Sequence, residues 1–168
     1  MPITSSDITW LLSGGSANAD PAASLGGEAS ATAAPASLLD LVTGSESAAG
    51  DIEYRCIYLE NGHGSLTLEA AAVWVVRPGG VQTTISLGLD PAGIDGTAQV
   101  VADESTVPSG VSWSEPTEGA PLAVGDVPAG SVVPIWVRRT VPAGASVLDV
   151  DGATLHVAGD TAAGEPVE

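Results

Sequence analysis

The sequence predicts an all-β protein, an immunoglobulin-like or jelly-roll β-sandwich that carries an extended and largely irregular N-terminal arm. Two observations favour this fold class. From residue 51 onward, short runs of alternating apolar and polar residues recur, and turn residues separate them. Within residues 51–160, no useful length of sequence has the period of an amphipathic helix.

This pattern divides the chain into three predicted parts. Residues 1–50 form a docking arm rich in Ala, Gly and Ser, residues 51–160 form the sandwich domain, and residues 161–168 form an acidic flexible tail. The central part has the length of one immunoglobulin-like sandwich, roughly 100 residues.

The predicted arm contains no cation and too little bulky apolar surface to fold alone. It nevertheless carries two short apolar clusters. The first alternates as in a short strand, and the second follows Pro35 and predicts a helical turn, with Ser37 and Asp40 spaced as in a capping box. The cluster residues that we predict to bind a partner are Ile8, Trp10, Leu12, Leu38, Leu39 and Leu41.

Two alternatives stay open for these clusters. They pack either on the core of their own chain or on a neighbouring subunit, and the length of the arm permits both. If the arm docks on a neighbour, we expect removal of residues 1–34 to leave a folded module that binds its partner more weakly.

The clearest alternation lies in residues 51–59, the first predicted strand of the sandwich. Successive side chains of a strand point to opposite faces. Glu53 and Arg55 therefore share one face, which turns apolar at Ile57 and Leu59. The opposite face carries Ile52, Tyr54, Cys56 and Tyr58.

A second run, residues 66–76, follows the turn sequence Asn-Gly-His-Gly at residues 61–64. Because such residues tolerate positive φ, the two runs predict a β-hairpin. This run places Ala72, Trp74 and Val76 in register with Leu66 and Leu68, on one face.

The remaining predicted strands are short, and turn sequences separate them. Pro134 has no N–H to donate, so its strand is predicted to lie partly at a sheet edge or to bulge there. The last strand places Leu155 and Val157 towards the core and His156 towards solvent. These predicted strands comprise residues 81–89, 97–101, 111–113, 122–124, 131–141 and 154–157.

The charge of the chain excludes several classes of partner. The chain contains twenty-one acidic residues, four arginines and no lysine, which gives a formal net charge of -17. Affinity for nucleic acid and for anionic membranes comes largely from cations, so we predict neither partner. The acid excess favours solubility, and the alternative is a partner with a basic surface.

No motif in the sequence indicates catalysis, and we predict that the protein is not an enzyme. A P-loop needs a lysine, and the strained G-x-S-x-G elbow of hydrolases is absent. Cys56 lies on an apolar strand face, where a free cysteine is usually a small core residue. With His63 and His156 it offers too few ligands for a zinc site, so we predict no catalytic, cofactor-binding or metal-binding residue.

Calcium is the one metal that the loops leave open. Acidic loops supply the oxygen ligands that Ca²⁺ takes, although no EF-hand spacing is present and solvated turn acids are the favoured interpretation. The loop acids in question are Asp90, Asp95, Asp103, Glu104, Asp149 and Asp151. Arg138 and Arg139 are adjacent in a predicted strand, so they point to opposite faces and each is expected to pair with carboxylates.

Three parts of the chain together resemble small structural proteins of tailed bacteriophages. They are ITSSDITWLLSGGSANADPAASLGG, ESAAGDIEYRCIYLENGHGSLTL, and PAGSVVPIWVRRTVPAGA followed by GATLHVAGDT. The resemblance implies a non-catalytic β-sandwich on the virion surface. The N-terminus lacks the basic n-region and long apolar h-region of a signal peptide, so we expect synthesis in the host cytoplasm. The resemblance brings no catalytic residue and no cofactor.

The function that follows is capsid decoration. The protein would act as a cement that binds the outer surface of the phage head and bridges subunits of the major capsid protein, with a homo-oligomer possible. One alternative is a tail, neck or baseplate component of the same particle. Another is a carbohydrate-binding or receptor-binding module, for which Trp113 is the evident candidate for an exposed aromatic platform.

Overall fold

The computed structural model describes residues 2–79, 81–146, 152–161 and 166–167. For residues 166 and 167 it describes the backbone alone. It confirms the predicted all-β sandwich, because two antiparallel sheets pack against each other. The five-stranded sheet contains β1 (Ile8–Ser13), β2 (Ala29–Ala33), β3 (Asp51–Asn61), β5 (Thr84–Leu89) and β7 (Val132–Val141), in the order β2-β1-β3-β7-β5. The four-stranded sheet contains β4 (Leu68–Val76), β6 (Leu122–Val127), β8 (Thr154–Thr161) and β9 (Pro166–Val167), in the order β6-β4-β8-β9.

The predicted hairpin of β3 and β4 is wrong, because these strands belong to different sheets. From β3 to β8, each strand lies in the sheet opposite to the one before it. The Asn61 side chain holds the connection, since its Nδ2 donates to the carbonyl oxygens of Leu66 and Val127, each at 2.9 Å. The turn sequence therefore carries the chain across the core. The neighbours of β3 within its own sheet are β1 and β7.

A β-bulge in β4 reverses the predicted facing of its second half. Ala70 has a φ of 48°, and the pairing of β4 with both of its neighbours shifts register around it. Leu68 and Val73 are consequently both buried, although they are five positions apart and would face opposite sides of a regular strand. The residues that turn away from the core are Ala72, Trp74 and Val76. Trp74 stacks there on the exposed His156, with 5.4 Å between ring centroids.

The first fifty residues contribute two strands to the sandwich and are less irregular than predicted. β1 pairs with β3 from Ile8↔Asn61 to Leu12↔Ile57, and β2 pairs with β1. Leu12 is completely buried, and Ile3 is buried as well. No sequence pattern indicates β2, because ASATA contains no bulky residue that would alternate with polar ones. Removal of residues 1–34 would delete both strands, so we no longer expect it to leave a folded module.

The sandwich buries both faces of the five-stranded sheet. On the outer face, loops cover the sheet: the Tyr58 hydroxyl donates to the Gly27 carbonyl oxygen at 2.6 Å and accepts from the Ala98 N–H at 2.9 Å. The residues predicted as strands 97–101 and 111–113 belong to this cover and form only isolated bridges nearby. The inner face packs against the second sheet through Ile57, Leu59, Ile85, Leu87, Ile135 and Val137.

Pro134 belongs to an interior strand but lies past the end of β5, so β7 is locally at a sheet edge on that side, as predicted. β7 is flanked by β3 and β5, and Pro134 is paired with Tyr58 of β3. The Pro134 carbonyl oxygen accepts from the Asp90 N–H at 3.1 Å, so its polar groups point to the β5 side. β5 has ended there at Leu89, and the missing N–H therefore removes no ladder hydrogen bond.

Two predicted features at the ends of segments also change. The capping box belongs to Thr43 and Glu46 at the start of the short helix α1 (Gly44–Ala49), and not to Ser37 and Asp40. At the C-terminus, β8 extends to Thr161 and β9 pairs with it, so part of the predicted flexible tail is strand. Residues 162–165 and 168 lie outside the described residues.

Leu12→Ala tests whether the first fifty residues are part of the core. We expect the free energy of unfolding to fall by about 2–5 kcal/mol, the range for a leucine truncated in a packed core. Leu41→Ala is the matched control, because this leucine is 89% exposed and its truncation should change stability by less than about 0.5 kcal/mol. Urea unfolding curves measure the change in the free energy of unfolding for both variants. Equally small changes in the two variants would contradict the position of β1.

Ala70→Gly tests the bulge. A left-handed backbone is unfavourable for alanine and easy for glycine, so we expect a gain in stability of about 0.5–1 kcal/mol. Ala72→Gly, two residues further along β4, should instead lower stability by about the same amount. A loss of stability in both variants, measured by thermal unfolding, would mean that β4 is regular.

Candidate functional site

The structure separates the six predicted partner-binding residues into two groups. Ile8, Trp10, Leu38 and Leu39 are half-buried against the inner core, and Leu12 is fully buried. The sequence left open whether these residues pack on their own chain or on a neighbouring subunit. In the structure, these five contact the sheets of their own chain. Leu41 differs, since it is 89% exposed.

Residues 34–42, hereafter segment 34–42, run along the open side of the sandwich between β2 and α1. The segment begins with a hydrogen bond from the Ala34 N–H to the Trp10 carbonyl oxygen, at 2.7 Å. Arg139 of β7 holds its other end, donating to the Asp40 carbonyl oxygen at 2.6 Å and to Asp40 Oδ1 at 2.9 Å. The capped first turn of α1 follows immediately at Thr43. Leu41 therefore projects into solvent between two fixed points of the backbone.

The anchor of segment 34–42 belongs to a larger charge cluster, formed by Asp40, Glu53, Arg55, Glu104 and Arg139. Arg139 Nη2 lies 2.9 Å from a carboxylate oxygen of both Asp40 and Glu53, and Arg55 pairs with Glu104. Glu53, Arg55 and Arg139 are buried, whereas the other two acids are exposed. One oxygen from each of the three acids lies within 4.8 Å of the others. Two guanidinium groups already compensate these carboxylates, so the arrangement is an ion-pair network that ties segment 34–42 to β3 and β7.

Burial raises the pKa of Glu53 from 4.5 to about 7, and the neighbouring Arg139 guanidinium only partly opposes this effect. The nearby Asp40 carboxylate raises the pKa further. The Oε1 atom of Glu53 is buried and has no hydrogen-bond partner among the described residues. Glu53 therefore changes charge close to neutral pH.

The loop acids considered for calcium do not converge on one point. Asp90 Oδ2 accepts from the Trp136 Nε1–H at 2.8 Å, and Asp95 Oδ1 accepts from the Val132 N–H at 2.9 Å. Asp103 accepts from the hydroxyls of its own turn, which lower its pKa. Glu104 joins the charge cluster, and Asp149 and Asp151 fall outside the described residues. The described loop acids act as acceptors that shape the chain.

Other candidate residues have structural surroundings. Burial raises the pKa of the Cys56 thiol, which is fully enclosed. His63 Nδ1 accepts from the N–H groups of Ser65 and Leu66, so this imidazole caps its own turn. Trp113 lies against Tyr54, with 5.5 Å between ring centroids, and the Arg138 guanidinium covers its ring at 4.9 Å.

The predicted opposition of Arg138 and Arg139 is confirmed, since one lies on the outer face of the sheet and the other on the inner face. Among the described residues, the expected carboxylate partners are found for Arg139 and not for Arg138. Arg138 instead stacks on Trp113 and donates to the Ser86 hydroxyl at 2.9 Å.

Fold and site together define the chain as a two-layer antiparallel β-sandwich with a charge-anchored segment at its open side. Comparison with protein-family models, curated proteins and solved structures finds no match. Across the described part of the chain, no helix has both the length and the apolar character needed to cross a membrane.

Glu53→Gln tests the charge cluster through the pH dependence of stability. Because the pKa of Glu53 is raised, its protonated form stabilises the fold below pH 4.5, and this contribution is lost as the pH rises through about 7. Relative to Glu53→Gln, we expect the wild-type free energy of unfolding to fall by on the order of 3 kcal/mol between pH 4.5 and 8.

Glu118→Gln is the matched control, since Glu118 is exposed in a loop and its replacement should leave the wild-type pH profile unchanged. Denaturant unfolding at a series of pH values gives the free energy of unfolding of the wild type, Glu53→Gln and Glu118→Gln. Parallel profiles for wild type and Glu53→Gln would contradict the raised pKa.

Proposed function

We propose that the chain is a non-catalytic structural protein of a tailed-phage virion, a decoration protein that binds the outer surface of the head and bridges capsid subunits. The resemblance of three sequence segments to such proteins motivates this proposal. The observation that carries it is the geometry of Leu41, an apolar side chain that is 89% exposed in a segment fixed on both sides.

A fixed apolar side chain is an effective anchor for a protein partner. Leu38 and Leu39 pack on the inner core, and Asp40 is held by Arg139, so the backbone of Leu41 is already ordered. Binding then avoids most of the conformational entropy that a flexible arm would lose. Anchors of this kind carry much of the binding energy when they enter a pocket of the partner.

The charge distribution supports a protein partner with a basic surface. Arg55 and Arg139 are buried in the charge cluster, and Arg138 is stacked on Trp113. With these cations engaged inside the fold, the acidic residues dominate the exterior of a chain whose formal net charge is -17. Such a surface steers basic protein surfaces towards it and repels nucleic acid.

The surroundings of Glu53 and Cys56, whose pKa values are raised, support a non-catalytic role. Glu53 is enclosed by its ion-pair partners, and Cys56 is sealed in the core. The platform considered for a carbohydrate-binding module is covered, because Arg138 lies over the Trp113 ring. A tail, neck or baseplate position remains the second candidate within the same particle.

Leu41→Asp tests the proposal in a co-sedimentation assay with empty phage capsids. We expect the wild-type protein to co-sediment in a fixed ratio to the capsid subunit, and Leu41→Asp to weaken this binding about tenfold or more, as for loss of an interface anchor. Val107→Asp is the control, because Val107 is another exposed apolar residue, at 58%, in a loop remote in sequence.

The outcomes separate the candidates. Failure of the wild-type protein to bind capsids, together with binding to purified tails, would replace decoration by a tail position. Equal binding by wild type, Leu41→Asp and Val107→Asp would exclude segment 34–42 as the docking element. Circular dichroism of each variant checks that the fold is retained.

A further inference from the structure

A cavity of about 690 Å³ lies between the two sheets beside segment 34–42. This volume falls within the range of roughly 300–1,000 Å³ that is typical of small-molecule sites. Segment 34–42 forms one wall, and strands of both sheets form the others. The apolar part of the lining includes Leu38, Leu39, Ile57, Ile85, Val137 and Leu155.

Two arginines line the same cavity, and their situations differ. The Arg139 guanidinium is occupied by Asp40 and Glu53 in the charge cluster. Arg77 directly follows β4, and its Nη1 is buried with no hydrogen-bond partner among the described residues. A buried charged donor without an acceptor is unfavourable, so an anion placed beside Arg77 would be stabilised by this group.

The sign of the lining charge selects the class of ligand. Asp40 also lines the cavity, but its carboxylate is paired with Arg139. Among the described residues of the lining, Arg77 is the cation for which no carboxylate partner is found. A guanidinium binds a carboxylate through parallel hydrogen bonds, which a neutral alcohol cannot reproduce.

We propose that this cavity binds a small amphipathic carboxylate, such as a medium-chain fatty acid. The apolar tail lies between the sheets against Ile57, Ile85 and Val137, and the carboxylate accepts hydrogen bonds from Arg77. The cavity adjoins the exposed Leu41, which is one of its lining residues, but ligand binding requires no capsid or other protein partner. It therefore adds a ligand-binding property to the structural role proposed above.

Binding of decanoate and of decan-1-ol to the isolated full-length protein tests the proposal. We expect decanoate to bind on the order of tenfold more tightly than decanol, the difference made by one hydrogen-bonded charge. Isothermal titration calorimetry gives the affinities. Methyl NMR locates the ligand, and we expect the largest shift changes at Ile57 and Ile85, which line the cavity.

Arg77→Gln should reduce the affinity for decanoate to that for decanol and leave the affinity for decanol unchanged. Arg138→Gln is the matched control, because Arg138 lies on the outer face of the five-stranded sheet and should affect neither ligand. Arg77→Lys keeps the charge and should retain part of the preference for decanoate. Circular dichroism confirms that each variant is folded.

Three results would overturn the proposal. Equal affinities of the wild-type protein for decanoate and decanol would indicate an apolar docking surface without anion recognition. Equal losses in Arg77→Gln and Arg138→Gln would indicate a general charge effect. Absence of binding, or shift changes confined to the outer-face residue Leu25, would show that the cavity does not take this ligand.

Discussion

The burial of β3 on both of its faces is the constraint on which the rest of the structure depends. Its inner face carries Ile57 and Leu59, which require a second sheet, and its outer face carries Cys56 and Tyr58, which require a cover. Loops around Gly27 and Ala98 supply that cover and are held by the Tyr58 hydroxyl. A strand buried in this way also needs a neighbour at each edge, because unpaired backbone groups are unfavourable away from water. β1 and β7 fill those positions, which explains why the N-terminal residues are part of the sheet.

The same strand creates the charge cluster at the end where its inner face stops being apolar. Glu53 and Arg55 continue the direction of Ile57 into the interior, and charged groups there must find partners. Arg139 comes from the neighbouring β7, whereas Glu104 and Asp40 come from a loop and from segment 34–42. Compensation of buried charge thereby fixes a segment that has little regular structure of its own. The exposed position of Leu41 follows from the anchoring of the residue beside it.

Local alternation in the sequence is sufficient to predict the faces of several strands. The inward and outward residues of β3, β5, β7 and β8 follow from a period of two, as does the separation of Arg138 from Arg139. Pairing between strands is a different matter, because it depends on residues far apart in the chain. The contact of Arg139 with Asp40 spans 99 residues, and that of Arg55 with Glu104 spans 49. The bulge at Ala70 is likewise invisible in an alanine-rich run, since any of three successive alanines could take the extra position.

The composition of segment 34–42 connects the cavity with the exposed leucine. Two packed sheets stand about 10 Å apart, and bulky side chains are needed to fill the space between them. This chain has no phenylalanine, and four of its six Trp and Tyr side chains (Tyr54, Tyr58, Trp113 and Trp136) lie on the outer face of the five-stranded sheet. Where segment 34–42 closes the open side, it begins with Ala-Pro-Ala-Ser, whose small side chains cannot occupy the interior. Its leucines come only afterwards, and the anchor at Asp40 turns Leu41 outward before it can enter the core. One short stretch of sequence thus leaves space on the inside and apolar surface on the outside.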